Sequence, residues 1–214
     1  MKVSPVKKPL PVGISDYREA CTNYYYIDKT LLIKDFLDER PKVSLFTRPR
    51  RFGKTLNMDM LRTFFEKNDS DTSCYFQDKK IWLCGEPYRS HQGKYPVISL
   101  SFKDVKCPSW EETYLTLCQL ISMEFLRHNE LSSSPVLNTY EKEQFSRLAS
   151  GNGNTVDYQM SLHLLTLYLH KHYGIAPIVI IDEYDTPIQQ GHLHGFYDPV
   201  VGFMRNLFSG ALKD

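Results

Sequence analysis

The sequence lacks an excess of charge of either sign. Its 26 lysines and arginines meet 25 aspartates and glutamates, a formal net charge of +1. No global field therefore draws it to nucleic acid or to a membrane surface. It also lacks any apolar run near the ~20 residues of a membrane span, and no N-terminal segment has the pattern of a signal peptide. The five cysteines, Cys21, Cys74, Cys84, Cys107 and Cys118, form no C-x-x-C pair. That argues against a redox motif or a zinc knuckle, and for free thiols in a reducing compartment. There is no internal repeat and no low-complexity tract. A soluble cytoplasmic protein is expected, with one α/β domain or one domain and a small appendage.

What is present is concentrated in two stretches. The first runs Lys42-Val43-Ser44-Leu45-Phe46-Thr47-Arg48-Pro49-Arg50-Arg51-Phe52-Gly53-Lys54-Thr55. Val43 to Phe46 reads as a buried strand, Arg48 to Phe52 as a tight basic loop. Leu56, Met60, Leu61, Phe64 and Phe65 then recur at helical spacing. Strand, loop, Gly-Lys-Thr and helix are the layout of a phosphate-binding P-loop. Backbone N–H groups at the helix start favour an anion, and Gly53 lets the backbone approach it. Lys54 is spaced to reach the β- and γ-phosphates, and the Thr55 hydroxyl to ligate Mg²⁺. One position departs from G-x-x-x-x-G-K-[ST]: Arg48 stands where the first glycine belongs, and Pro49 fixes another φ. On this stretch alone, a basic loop that merely starts a helix is the alternative.

The second stretch is Ala176-Pro177-Ile178-Val179-Ile180-Ile181-Asp182-Glu183-Tyr184-Asp185. An apolar run ending in an acidic pair suits a fully buried parallel strand, whose carboxyl end is where ligands sit in open α/β sheets. Asp182 at the tip is placed to hold Mg²⁺ through water. Glu183, one residue further out, is placed to polarise an attacking water. Asp185 would help with the ion or cap the next segment. A solvated acidic turn is the alternative, but the two stretches together form a sharper constellation than either alone.

The rest of the chain frames these two. Residues 1–23 read as an irregular arm, and Tyr24, Tyr25 and Tyr26 either pack or lie near a nucleotide base. Asp28 is the expected N-cap of a helix that buries Leu32, Ile33, Phe36 and Leu37 and ends at Pro41. Residues 74–86 are ambiguous, with Phe76, Ile81, Trp82 and Leu83 in need of apolar surroundings. Tyr95 to Phe102 reads as the second core strand. After Ser109 comes a helix with Tyr114, Leu117, Cys118, Ile121 and Phe125 on one face, then a short helix over 141–148. Gly151 to Asn154 reads as a flexible loop. The next helix, with Met160, Leu164, Leu167 and Tyr168 on one face, stops at Gly174. After Thr186-Pro187-Ile188, a last helix from Pro199 to Leu212 turns Val200, Phe203, Met204 and Leu207 inward. His170 and His172 fall at a helix end, His192 and His194 in a loop. Four histidines could form a metal site, but a helix-end charge effect and solvated positions account for them.

The chain resembles the bacterial AAA-ATPase-like family of the P-loop superclass. The resemblance rests on Tyr25-Tyr26-Ile27-Asp28-Lys29-Thr30, Thr47 to Thr55, Pro96-Val97-Ile98, Ser161-Leu162 and Ile181 to Ile188. It runs from about Leu10 to the end. The family itself carries Arg-Pro-Arg-Arg-Phe-Gly-Lys-[Ser/Thr], so Arg48 is a family feature. The resemblance implies an α/β fold, a three-layer α/β/α P-loop core with a mostly parallel sheet, binding ATP with Mg²⁺. It implies that Arg48, Pro49, Arg50, Arg51, Phe52, Gly53, Lys54 and Thr55 bind the nucleotide. Lys54 and Glu183 are then catalytic, and Thr55 and Asp182 hold the metal. Similar proteins continue into a further strand with a sensing polar residue, and often into a C-terminal nuclease-like domain. We therefore expect an N-terminal arm and helix, 1–40, packed on a core, 41–214, truncated before its last strand or strands.

The leading expectation is an ATPase coupled to a C-terminal domain or a protein partner. The alternative is a nucleotide-gated binding module with little turnover, with Arg205 a candidate for acting in cis or toward a neighbour. A kinase is disfavoured because Glu183 directly follows Asp182, which suits water as acceptor. Nucleic-acid binding through the arginine cluster is not supported by the overall charge.

Overall fold

The computed structural model describes residues 8–47 and 52–212. Arg48, Pro49, Arg50 and Arg51 of the basic loop lie outside the described residues. The chain divides into two compact units, Met1–Tyr95 and Pro96–Asp214.

The N-terminal unit is helical: α1 (Tyr17–Asn23), α2 (Leu31–Glu39), α3 (Lys54–Phe65), α4 (Lys80–Leu83) and α5 (Glu86–Arg89). An aromatic cluster holds it together. Tyr17 stacks on Phe76 with ring centres 5.1 Å apart and meets Tyr26 edge-on at 5.3 Å. Phe64 meets Phe65 and Phe76 edge-on at 5.1 and 5.0 Å. Burying each such ring contributes roughly 1.5–3 kcal/mol, more than enough to override weak local helix propensity. The expected irregular arm thus contains a helix, because Tyr17 and Ala20 are fully buried and the Asp16 carboxylate caps the Glu19 N–H. Asp59 ties α1 to α3: it accepts the Tyr17 N–H at 2.7 Å and pairs with Arg62.

Two expectations fail in this unit. Asp28 is not the N-cap of α2; Thr30 is. The run Val43 to Phe46 is not a strand, and Val43 and Leu45 are 56% and 66% exposed. A strand needs a neighbour's N–H and C=O groups. Among the described residues of this unit the ladder contact is a single bridge, Glu66 to Tyr95, and it does not involve the run. Of the apolar residues in 74–86, Phe76 and Ile81 find the core, whereas Leu83 is exposed.

The C-terminal unit is α/β. β1 (Val97–Ser101) and β2 (Ile178–Asp182) pair in parallel, Val97 opposite Ile178 and Ser101 opposite Asp182. The connection carries α6 (Trp110–Arg127), α7 (Thr139–Ala149) and α8 (Thr155–Tyr173), and α9 (Thr186–His194) and α10 (Tyr197–Leu212) follow β2. Ile98, Leu100, Val179 and Ile181 share one sheet face, and the core on that face collects Leu117, Phe125, Phe145, Leu165, Phe203 and Leu207 from α6, α7, α8 and α10. Among the described residues the chain is thus α/β, with a two-stranded parallel sheet and mostly helices. β2 is not buried throughout: Ile180 and Asp182 are buried, and Ile178, Val179 and Ile181 are half-buried.

Local signals hold well here. Asn138 with Glu141 and Asn154 with Asp157 form reciprocal capping boxes at the starts of α7 and α8. Gly174 ends α8 at φ 69°. The residues 151–154 are therefore an organised helix entry, with Gly153 close against Leu148 and Tyr158. The buried face of α8 is Tyr158, Ser161, Leu162, Leu165, Tyr168 and Leu169. Met160 and Leu167 lie partly exposed instead. Leucines surround this helix, so the face it buries is chosen by its neighbours and not by its own pattern. His192 and His194 sit in the last turn of α9, where a loop was expected.

The outer edge of β1 is closed by side chains. Even-numbered positions face β2, as Phe102 N–H donating to the Asp182 carbonyl shows, so Val97 and Ser99 point the other way. The Ser99 N–H donates to the Glu124 carboxylate at 2.7 Å, and Arg127 donates to the Val97 carbonyl. His128 lies 3.2 Å from the same carbonyl and 3.3 Å from Glu130. Burial opposes the charge on Glu124, but Arg127, His128 and the Ser99 N–H outweigh it and hold the carboxyl below its usual range. Burial likewise opposes charging His128, yet its bonds to Glu124 and Glu130 raise its pKa. The clasp thus occupies the Val97 carbonyl and the Ser99 N–H, two ladder groups of that edge.

Candidate functional site

The phosphate-loop residues and the acidic strand tip lie in different units. In the N-terminal unit, Gly53 is the N-cap of α3, with φ 74° and ψ 27°. That left-handed conformation suits glycine and strains other residues. Its carbonyl accepts the Asn57 N–H at 3.0 Å, so Lys54 and Thr55 open the first helical turn. Both are half-buried. The N–H groups of this turn have no intrahelical acceptor by construction, and the helix dipole adds to them. The local geometry expected of a Gly-Lys-Thr helix start is present. The strand expected before it is not.

A residue to which we assigned no role stands beside this turn. The Lys29 ammonium lies 3.7 Å from the point a Cβ on Gly53 would occupy. Asp28 shapes the turn that carries it: its carboxylate accepts the Thr30 N–H at 2.8 Å, the Thr30 hydroxyl at 2.7 Å and the Lys80 N–H at 2.8 Å. Burial works against the Asp28 charge, but these three bonds hold its carboxyl below the usual range. The only signal for Lys29 in the sequence was its place in Tyr-Ile-Asp-Lys-Thr. Of the three tyrosines, Tyr26 packs on Tyr17 and donates to the Met60 sulfur, and Tyr25 is exposed.

In the C-terminal unit, Asp182 is the last residue of β2 and is 6% exposed. Glu183 follows at φ 50°, a left-handed conformation that costs a non-glycine residue about 1 kcal/mol. Its carbonyl accepts the Thr186 N–H at 3.0 Å and its carboxylate the Thr186 hydroxyl at 3.3 Å. The turn therefore re-aims the Glu183 side chain away from the strand direction and into solvent. Asp185 occupies the N-cap position of α9 without a side-chain cap bond; it accepts from Gln189 at 2.6 Å instead.

Sequence reasoning also passed over Ser101. It is in register with Asp182 on the adjacent strand and so shares its face. Its hydroxyl oxygen is buried and has no hydrogen-bond partner among the described residues. A buried hydroxyl left unmade costs about 1–3 kcal/mol, so its position at a strand tip beside a carboxylate fits a site that water or a ligand completes. Hard oxygen donors of this kind suit magnesium better than zinc. Among the described residues no group of three His, Cys, Asp or Glu could hold a metal by itself. Magnesium does not require one, since it keeps several waters and takes substrate phosphates as ligands. Nor is any helix among the described residues long and apolar enough to cross a membrane.

A glycine-capped Lys-Thr helix start and a parallel strand ending in a carboxylate thus stand in one α/β chain. The chain belongs to the AAA-ATPase-like family, whose model, described as "Predicted AAA-ATPase", matches residues 11–214. Among curated proteins it is similar to an uncharacterized protein in the vnfD 5' region of Azotobacter chroococcum mcd 1, 25% identical over 186 residues. That match covers 85% of this chain and 30% of the relative, so the chain spans less than a third of that protein's length. No solved structure matches it.

Proposed function

We propose that this chain is the ATP-binding part of a P-loop ATPase, with Mg²⁺ as cofactor and residues 41–214 contributing to a three-layer α/β/α core on which 1–40 packs. The observation that carries the proposal is Gly53 in the left-handed region at the start of α3, with Lys54 and Thr55 in the first turn. Membership of the family supports it.

In this proposal Arg48, Pro49, Arg50, Arg51, Phe52 and Gly53 wrap the phosphates, and Lys54 binds the β- and γ-phosphates as a point charge. Thr55 and Asp182 are the protein's oxygen ligands for the ion. When bound, magnesium supplies charge neutralisation on the phosphate oxygens. Glu183 accepts a proton from the attacking water; the oxygen bonds to the γ-phosphorus as the bond to the β,γ-bridging oxygen breaks, leaving ADP and phosphate. The partner that hydrolysis drives is a C-terminal domain, nuclease-like in similar proteins, or a separate protein.

Two substitutions test this. Lys54→Ala should abolish ATP binding measured by titration calorimetry; unchanged affinity would remove the loop from the site. Glu183→Gln should keep ATP affinity and lower phosphate release by roughly 10²- to 10⁴-fold. Equal nonzero rates would remove Glu183 from the mechanism. One observation favours a second reading, a nucleotide-gated binding module of low turnover: the Glu183 carboxylate is already engaged by the Thr186 hydroxyl. Tight ATP binding with no phosphate release by the unaltered chain would decide for it.

A further inference from the structure

We propose that Ser101 is a positioning residue of the magnesium site: its hydroxyl holds a water of the ion's coordination shell beside the Asp182 carboxylate. This role rests on the P-loop proposal and deepens it.

The Ser101 hydroxyl oxygen is the one buried side-chain N or O atom among the described residues that has no hydrogen-bond partner. Buried hydroxyls that serve the fold are satisfied inside it. Thr72 donates to the Thr63 carbonyl at 2.9 Å, Thr113 to the Ser109 carbonyl at 2.8 Å and Ser161 to the Tyr158 carbonyl at 2.7 Å. Ser134 meets the His172 ring at 2.8 Å. Burying a hydroxyl without a partner costs free energy that an alanine would not. Packing alone therefore gives no use for a hydroxyl at position 101.

Its position gives one. Ser101 is opposite Asp182 in register, so both side chains leave the same sheet face at the carboxyl ends of parallel strands. Ligands of open α/β sheets sit at such ends. The Phe102 N–H donates to the Asp182 carbonyl at 3.0 Å, and Phe102 is fully buried and edge-on to Phe208. Ladder and core thus fix the two tips together. Ser101 as a residue is half-buried, so this end of β1 is not sealed. Neighbouring strands lie about 4.8 Å apart, a gap that two hydrogen bonds of about 2.8 Å each cross through one water.

Magnesium keeps several waters when it binds, and each bound water is a polarised donor that needs an acceptor. A serine hydroxyl accepts through its lone pairs and still has one proton to donate. It can take a hydrogen bond from a bound water and give its own to a carboxylate oxygen. Outer-shell groups of this kind orient the ligands of an ion and raise its affinity.

The experiment is titration calorimetry of the chain with ATP, in excess magnesium and in EDTA. The readout is the factor by which magnesium strengthens ATP binding. Wild type is compared with Ser101→Ala, Ser101→Thr, Ser101→Cys and Asp182→Asn. In Ser101→Ala the factor should fall roughly 2- to 10-fold, the worth of one hydrogen bond. Its ATP affinity in EDTA should equal that of wild type. Its ligand-free melting temperature should be unchanged or higher, because no internal bond is lost. Ser101→Thr, which keeps the hydroxyl, should hold the factor within about twofold of wild type. Should Ser101→Ala melt lower or fail to fold, Ser101→Cys is the variant to read: it keeps the size, offers only a weak donor and should show the same fall.

An undiminished factor in the alanine and cysteine variants, with the factor lost in Asp182→Asn, overturns the role of Ser101 and leaves the magnesium site standing. Equal losses in magnesium and in EDTA overturn it too, because the hydroxyl would then act on the nucleotide or the fold. So does a Ser101→Thr variant that loses as much as Ser101→Ala. An undiminished factor in Asp182→Asn removes Asp182 from the ion and this role with it. A wild-type chain that binds no ATP brings down the P-loop proposal as a whole.

Discussion

Val43 to Phe46 and Ile178 to Ile181 are both four-residue, mostly apolar runs, each leading into a charged loop. Only the second forms a strand. Ile178 to Ile181 lies beside β1, which offers it a complete parallel ladder, and the shared face packs on helices of its own unit. Val43 to Phe46 lies in a unit whose other described elements are helices, and Val43, Ser44 and Leu45 are exposed while Phe46 is half-buried. The second run is β-branched throughout and the first at Val43 alone, and the second has a paired strand beside it. The difference shows that a strand needs a neighbouring ladder as well as residues that favour extended backbone.

Identical substitutions can break this comparison. Leu100→Ala, in the paired sheet and 5% exposed, should cost about 2–5 kcal/mol in urea denaturation. Leu45→Ala, in the unpaired run, should stay within about 0.5 kcal/mol. A cost at Leu45 comparable to that at Leu100 would mean that the run is buried after all, and the contrast would be lost.

The clasp on the free edge of β1 sharpens it at intermediate size. Glu124→Gln should cost about 1–3 kcal/mol at neutral pH, by weakening a buried charged network. The pH dependence has two limbs. Glu124 has a folded pKa below its ordinary value near 4.5, so its contribution is present above that value and is lost as pH falls through the folded pKa. His128 has a folded pKa above its ordinary value near 6.5, so its contribution is full below that value and is lost as pH rises through the folded pKa. Urea midpoints against pH should therefore fall on both sides in wild type. The acid limb should flatten in Glu124→Gln; an unchanged acid limb would exclude Glu124 from the clasp. The smallest expected effect is at a helix start: Asn154→Ala, which removes the cap of α8, should cost about 1 kcal/mol. Its absence would mean that the α8 entry is held by packing alone.

Much of the helical structure was legible because its determinants are local. Ser109 accepting the Glu112 N–H, Gly174 ending α8 and the inward face of α10 at Val200, Phe203, Met204 and Leu207 each depend on residues within a few positions. The helices missed were α1, α4, α5 and α9. α1 is held by Tyr17, whose burial depends on Phe76 and Tyr26, far along the chain. α9 begins at a Thr-Pro pair, which marks an exit from a strand as readily as a helix entry. Of the candidate site, the Gly53 turn and the Asp182 strand tip were legible. The left-handed backbone at Glu183, the orphaned Ser101 hydroxyl and the approach of Lys29 to Gly53 were not, since each arises from a contact or a turn that no periodicity encodes.

Sequence alone determined family membership, the parallel β1–β2 architecture in outline, and the residue types available for phosphate and metal chemistry. The family follows from the resemblance carried by Tyr25 to Thr30, Thr47 to Thr55 and Ile181 to Ile188, and the rest from local spacing, capping and the period of apolar residues. Tertiary structure decided which apolar run became a strand, which face α8 buried, and which lysine besides Lys54 came to the helix start. These depend on partners dozens of residues away, and bringing them together costs loop-closure entropy that only the packed whole can offset.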